Sequence, residues 1–314
     1  MSSLPGLVSI DDIRAAAERI RGVAVRTPLL DVPGPFSLKC EQMQPMGAFK
    51  IRGAANMLAQ LAPEARAAGV ITYSSGNHGQ AVALAAQRLS IPAVVVMPEN
   101  APTVKVDGVR RYGGEVIFAG TTLFDRQRRA EAEAAARTLT IVPPFDHPWI
   151  IAGAGTCGLE ILEQCPGLTT VYAPIGGGGL VSGVAAAVKL SRAQVRVIGV
   201  EPAGAPKMSA SRAAGHPVTL ERTDTIADGL RALRPGALNF AHAQAFVDDV
   251  VTVEDAAIAA AVKWLYREAQ VVAEPSGATS VAAVLQAGAP APGTVAIVSG
   301  GNVDPEDFVR YVRE

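Results

Sequence analysis

The run Val171-Tyr-Ala-Pro-Ile-Gly176-Gly177-Gly178-Gly179-Leu180 constrains this chain more than any other, because a strand pattern passes directly into four glycines and then into a helical pattern over Val181–Leu190. A flexible linker would carry polar residues on either side of the glycines, and none are present. Glycines without side chains let backbone N–H groups turn inward, and the helix that follows adds its partial positive charge, so the stretch reads as a phosphate cradle. A dinucleotide is the rival ligand. Glu201 ends the next strand pattern about 20 residues on, where a ribose-binding acid is expected. Against that rival, the register from Gly177 and Gly179 reaches Ser182 in place of a third glycine, and the loop lies in mid-chain. Nucleotide binding stays open as a second class of function.

Strand and helix patterns alternate on both sides of this loop. Ser9 with Asp11 and Asp12 caps a first helix whose apolar positions run to Ile20, and Phe36 to Glu41 alternates like a strand. The spacing then predicts strand Val70–Tyr73, a helix from about His78 to Arg88, strand Ala93–Met97, a helix opened by Pro102, strand Glu115–Phe118 and a helix from about Thr122 to Leu139. After the turn-rich Pro143-Pro144 and His147-Pro148 region come a helix near Thr156–Gln164, strand Val171–Ile175, helix Val181–Leu190 and strand Val195–Val200. The chain closes on strand Val247–Val253, helices Asp255–Glu268 and Ser276–Leu285, strand Thr294–Val298 and a helix after Asp304. Such alternation implies an α/β fold with doubly wound parallel sheets, and 314 residues suit two domains.

Charge and cysteine content remove several classes. Lys and Arg number 28 against 29 Asp and Glu, so nothing asks for nucleic acid or an anionic membrane. Cys40, Cys157 and Cys165 form no Cys-x-x-Cys pair, which argues against a disulfide framework or a zinc site and fits a reducing cytoplasm. The amino terminus lacks the pattern of a signal peptide. The uncharged stretches Gln164 to Val188 and Pro275 to Val303 are broken by proline and glycine, so they read as buried α/β core rather than membrane spans.

The chemistry-bearing residues fall into a few short stretches. Lys50 sits beside Phe49 at the start of a helical pattern, with Gly47 and Gly53 on either side. A desolvated lysine gives up its proton more easily and becomes a nucleophile or Schiff-base former. Ser74-Ser75-Gly76-Asn77-His78-Gly79 joins a strand to a helix and offers hydroxyls, an amide and helix-terminal N–H groups, a set suited to a carboxylate or oxyanion. Ser299-Gly300-Gly301-Asn302 ends the last strand in the same way. Ligands collect at the carboxyl ends of parallel strands, so the three loops are expected to meet. His78, His147, His216 and His242 have no metal-ligand spacing, and no Gly-x-Ser-x-Gly or Walker-type loop occurs. A lysine, a phosphate cradle and a carboxylate loop together describe a site for pyridoxal 5'-phosphate (PLP).

With these residues in view, the chain resembles the fold-type II PLP enzymes, in the serine/threonine dehydratase and serine racemase branch. The resemblance spans seven ordered motifs: Ala48-Phe-Lys-Ile-Arg-Gly, Ser74-Ser-Gly-Asn-His-Gly-Gln, Met97-Pro-Glu-Asn-Ala-Pro, Gly176 to Leu180, Thr225-Ile-Ala-Asp-Gly, Glu274-Pro-Ser-Gly and Ser299-Gly-Gly-Asn. It implies that Lys50 carries the cofactor and acts as base, that Phe49 packs on its ring, and that Asn77 bonds its hydroxyl oxygen. Gly176, Gly177, Gly178, Gly179 and Leu180 would hold the phosphate, and Ser299 would face the ring nitrogen. Ser74, Ser75, Asn77 and His78 would hold the substrate carboxylate, with Ser75 placed to exchange a proton on the face opposite Lys50. Arg126 falls near a pocket position, although its helix also reads as a solvated face.

The resemblance further implies α,β-elimination from a β-hydroxy amino acid, L-threonine or L-serine foremost, giving a 2-oxo acid and ammonia. Serine or aspartate racemisation and the dehydration of hydroxyaspartate or phenylserine are alternatives on the same scaffold, and a non-catalytic PLP-binding protein is a third kind. It also implies a homodimer, a large domain of residues 1–68 and 147–314, a small mobile domain of residues 69–146, and no appended regulatory domain. One departure stands out. Relatives that use a divalent ion supply a glutamate, a backbone carbonyl and an acidic side chain after the Glu-Pro pair, whereas here Glu201-Pro-Ala-Gly-Ala205-Pro is followed by Lys207. The expectation is that no metal binds there.

Overall fold

The computed structural model describes residues 6–74, 76–101, 103–288 and 290–313. Helix α1 (Ile10–Arg19) begins at a capping box in which the Ser9 hydroxyl accepts from the Asp12 amide and Asp12 reaches back to the Ser9 amide. Strands β1 (Leu29–Asp31) and β2 (Phe36–Cys40) and helices α2 (Lys50–Leu58) and α3 (Pro63–Ala68) follow. Next come β3 (Val70–Tyr73), α4 (Asn77–Leu89), β4 (Ala93–Met97), α5 (Thr103–Arg111), β5 (Glu115–Phe118), α6 (Leu123–Arg137) and β6 (Thr140–Ile141). The second half holds α7 (Pro148–Gln164), β7 (Thr170–Pro174), α8 (Gly179–Ser191), β8 (Arg196–Pro202), α9 (Lys207–Ala214), α10 (Ala237–Phe246), β9 (Asp249–Val253), α11 (Asp255–Glu268), α12 (Pro275–Gln286), β10 (Thr294–Val298) and α13 (Pro305–Arg313).

The strands form two sheets. One has the order β1-β2-β10-β7-β8-β9, parallel except for the antiparallel pair β1 and β2. The other has the order β5-β4-β3-β6 and is parallel throughout. The central strands β4 and β10 are buried along their whole length, as helices on both faces require, and this is why they read as unbroken apolar runs. The chain is thus α/β with two open parallel sheets.

Two differences from the sequence expectation have clear causes. Helix α7 starts at Pro148, eight residues before the expected Thr156, with the His147 ring nitrogen accepting from the Trp149 amide at 3.1 Å. The sequence pattern suggests a turn at His-Pro, but proline at the first helical position has no hydrogen bond to lose, so it starts a helix as readily as it ends one. The short helices α3, α9 and α10 lie in stretches where periodicity alone predicts nothing, and α9 depends on a carboxylate supplied by another strand. Pro102, expected to open α5, lies outside the described residues.

Helices α2, α7 and α8 stack closely through glycines. A Cβ on Gly183 would stand 2.3 Å from the Ile151 carbonyl oxygen, and one on Gly153 would stand 2.5 Å from that of Arg52. This close contact fixes α2, and with it Lys50, against the large sheet. Beneath α2 lies a buried ionic cluster in which Arg52 bonds both oxygens of Glu41 at 2.7 Å and reaches Glu160 at 2.7 and 2.8 Å. Lys39 also bonds Glu160, at 2.6 Å. Among the described residues, no helix is long and apolar enough to cross a membrane.

Candidate active site

Lys50 is the first residue of α2, and its position is set by pairing between two loops. The Phe49 amide donates to the Ser299 carbonyl at 3.0 Å, Ala48 bridges Gly300, and the Gly301 amide donates to the Gly47 carbonyl at 2.9 Å. Gly47 has φ of +82°, and a Cβ there would stand 2.3 Å from Asn302 Oδ1, so both conformation and space demand glycine. The Lys50 amine donates to the Pro144 carbonyl at 2.7 Å and lies 5.2 Å from the Phe49 ring centroid. Burial pulls its pKa down to about 8, so about a tenth is a free amine at pH 7, far more than for an ordinary lysine.

The loops after β3, β7 and β10 converge on this amine, as parallel strands of such sheets allow. One cavity of about 200 Å³ is lined by Phe49, Lys50, Ser74, Asn77, His78, Gly176, Gly177, Gly178, Gly179, Leu180 and Ser299. Every sequence-derived site residue is therefore on its wall except Ser75, which lies outside the described residues. Arg126 on α6 is not on that wall.

The glycine turn suits an anion. The Gly177 carbonyl accepts from the Gly236 amide at 3.0 Å and the Gly178 carbonyl from the Ser182 amide at 2.9 Å, so these acceptors are consumed within the protein. Gly179 and Leu180 open α8, where the leading N–H groups have no acceptor inside the helix. A Cβ on Gly177 would stand 2.3 Å from the Phe145 ring, and Gly178 has φ of +106°. Only glycine leaves this cradle open.

Asn77 is held between two side chains. Its Nδ2 donates to Glu274 Oε1 at 2.6 Å, and its Oδ1 accepts from Asn302 Nδ2 at 2.7 Å. One Nδ2 hydrogen remains for a ligand. The His78 imidazole is buried and meets the Val142 carbonyl at 3.1 Å through Nε2. Burial, and secondarily the Lys50 charge, lower its pKa to about 3, so the ring is neutral and Nε2 carries the hydrogen. His78 therefore offers a ligand its backbone N–H rather than a charge. The Ser299 hydroxyl is buried and makes only a long 3.4 Å bond to the Ser276 carbonyl, which leaves it available to the cavity.

Glu274, which opens the Glu274-Pro-Ser-Gly motif without an assigned role, also lines the wall. It is buried, and desolvation together with the nearby Asp228 charge raises its pKa to about 8, so near neutrality it is mainly a carboxylic acid. Its sequence signal is that motif, set at the edge of the uncharged stretch that begins at Pro275.

PLP fits these groups: an anion-binding turn, a partly deprotonated amine against an aromatic ring, a free amide hydrogen and a neutral hydroxyl share one cavity. The profile of the family described as "Pyridoxal-phosphate dependent enzyme" matches residues 20–300. The chain is 43% identical over 309 residues to a serine racemase of Oryza sativa subsp. indica, covering 94% of this chain and 91% of that one. It is 42% identical over 317 residues to an L-threonine ammonia-lyase of Thermotoga maritima, covering 98% of this chain and 79% of that one. The structure superposes on that of maize serine racemase with a TM-score of 0.92 at 40% identity, covering 98% and 97% of the two chains. With cradle, amine and fold in agreement, the chain belongs to the PLP-dependent enzymes of fold type II, in the family of the serine racemases and threonine dehydratases.

Proposed function

We propose that this enzyme is a dehydratase, or ammonia-lyase, that converts a β-hydroxy amino acid, L-threonine or L-serine, to a 2-oxo acid and ammonia. The observation that carries the reading is the Lys50 amine, with its pKa lowered to about 8, sharing one cavity with the glycine turn and with hydroxyl, amide and neutral imidazole groups. When bound, PLP supplies an electron sink that makes the α-hydrogen of an attached amino acid acidic. Phe49, Lys50, Asn77, Gly176, Gly177, Gly178, Gly179, Leu180 and Ser299 would hold it.

Lys50 Nζ, as a free amine, takes the α-proton, and its depressed pKa keeps it competent near neutral pH. The N–H groups at the start of α4 and the Ser74 hydroxyl orient the substrate carboxylate, helped by the positive end of the helix. Ser299 would meet the cofactor's ring nitrogen with a hydroxyl, which brings no negative charge to keep that nitrogen protonated. Such a partner would favour prompt elimination, in which the β-hydroxyl takes up a proton and leaves as water. Residues 69–146 act as the closing body, with Lys105 of α5 paired to Asp228 across the cavity mouth at 2.5 Å.

Racemisation of serine is the second reading, supported by the 43% identity to a serine racemase and by the sequence resemblance, which assigns Ser75 to proton exchange on the face opposite Lys50. A panel of serine, threonine and hydroxyaspartate in both stereochemical forms decides between them. Dominant oxo acid and ammonia supports the dehydratase. Inverted amino acid formed faster than oxo acid overturns it in favour of the racemase.

A further inference from the structure

Lys207 is a buried cation that the reaction does not use. It is the first residue of α9, its side chain is fully buried, and Nζ donates to the Ile175 carbonyl at 2.9 Å and the Ala205 carbonyl at 3.0 Å while lying 3.1 Å from Glu201 Oε1. Carbonyls only accept. Glu201 accepts from the Met208 amide at 2.8 Å and from the Ser209 amide and hydroxyl at 2.9 Å each, so it too faces the nitrogen as an acceptor. Burial lowers the Lys207 pKa and the contact with Glu201 counters that shift, while three acceptors around one nitrogen call for the three N–H donors that an ammonium supplies.

These partners connect the cation to the cofactor side of the fold. Ile175 immediately precedes Gly176, so one N–H of Lys207 holds the carbonyl that leads into the glycine turn. The neighbouring Met208 Cε lies 3.4 Å from where a Gly178 Cβ would be, placing the start of α9 directly behind the turn. The resemblance drawn from the sequence puts a divalent ion beside Glu201 and a backbone carbonyl of the segment that follows it, with an acidic side chain where Lys207 stands. It does not fit here, because the ammonium occupies the space between the two carbonyls and the carboxylate, and Glu201 already has its lone pairs engaged.

We propose that Lys207 is a positioning residue, a built-in cation that holds the entry to the glycine turn and makes PLP binding independent of divalent metal. The inference rests on reading Gly176 to Leu180 as the phosphate site. That reading is checked separately, by whether the wild-type protein binds PLP more tightly than pyridoxal, which lacks the phosphate.

The test is cofactor affinity and thermal midpoint, read with and without chelator, Mg²⁺, Mn²⁺ or Ca²⁺. Wild-type protein should show no response to any of them. Lys207→Met, which keeps the stem and removes the charge, should raise the dissociation constant for PLP by about tenfold or more and change that for pyridoxal far less. Lys207→Asp leaves an oxygen set of two carboxylates and two carbonyls, a hard-cation site, and should regain PLP affinity when Mg²⁺ or Ca²⁺ is added. Wild-type protein that loses PLP on chelation and recovers it with Mg²⁺ overturns the proposal, and so does a folded Lys207→Met variant with unchanged PLP affinity. If Lys207→Met does not fold, the wild-type chelation result and the ion response of Lys207→Asp decide.

Discussion

Asn77 Nδ2 donates to Glu274 Oε1 at 2.6 Å, joining the first turn of α4 to the N-cap of α12 across 197 residues of sequence. The bond links the two sheets' helices at the cavity wall, and Glu274 makes it mainly as a neutral acid because burial raises its pKa from 4.5 to about 8. Between those values the folded protein holds a proton that the unfolded chain has released. The stability this lends is full below about pH 4.5 and is lost as pH rises through about 8.

Glu274→Gln, which copies the neutral acid, should remove this dependence in the cofactor-free protein. The thermal midpoint of the variant minus that of wild type should increase from about pH 5 to about pH 8 and then level off. A difference that stays constant over that interval would mean that Glu274 is ionised in the fold.

Capture of PLP should follow the free-amine fraction of Lys50. With a pKa of about 8, the rate at which cofactor-free protein takes up PLP should rise through pH 8 and plateau above it, measured by the change in cofactor absorbance on rapid mixing. A midpoint near the ordinary lysine value of 10.5 would remove the argument from burial.

Replacing the amine is a separate matter from tuning it. Lys50→Ala should abolish covalent fixation of PLP by borohydride, detected by intact mass, and lower turnover by about 10³-fold or more, since base and anchor go together. Turnover within tenfold of wild type would assign the proton transfer to another residue.

The cradle tolerates no side chain at its second glycine. Gly177→Ala places a carbon 2.3 Å from the Phe145 ring, so ring or turn must move, at a cost of about 1–3 kcal/mol. Affinity for PLP should fall accordingly in an equilibrium titration, whereas Gly167→Ala, with nothing within 4 Å of the added carbon, should bind as wild type.

Arg52 tests the support beneath the site. Arg52→Leu leaves Glu41 buried without its bidentate partner, although Thr27 still bonds it, and should cost about 3–5 kcal/mol in denaturant unfolding. A loss below about 1 kcal/mol would show that the cluster relaxes around the missing cation.

Sequence by itself determined the α/β class and the loops that carry the site. Both are local: period and length separate strands from helices, and a strand that meets four glycines and then a helix has few uses. Lys50 was legible because an aromatic ring and glycines surround it in sequence. Strands buried on both faces, such as Ala93–Met97 and Thr294–Val298, declared themselves by composition.

Only the tertiary structure decided how these residues are charged and which groups meet. Glu274 and Glu41 are both buried glutamates, yet the first has its pKa raised by burial, with the Asp228 charge adding to it, and the second has it lowered because Arg52 outweighs burial. No local pattern distinguishes them, because the burial of each and the charges near it are set by other elements of the fold. Helix α9 likewise starts where the Glu201 carboxylate, from β8, accepts its first free N–H groups. Desolvation and long-range pairing are properties of the packed chain, so the phosphate cradle could be read from the letters, while the buried ammonium behind it required the fold.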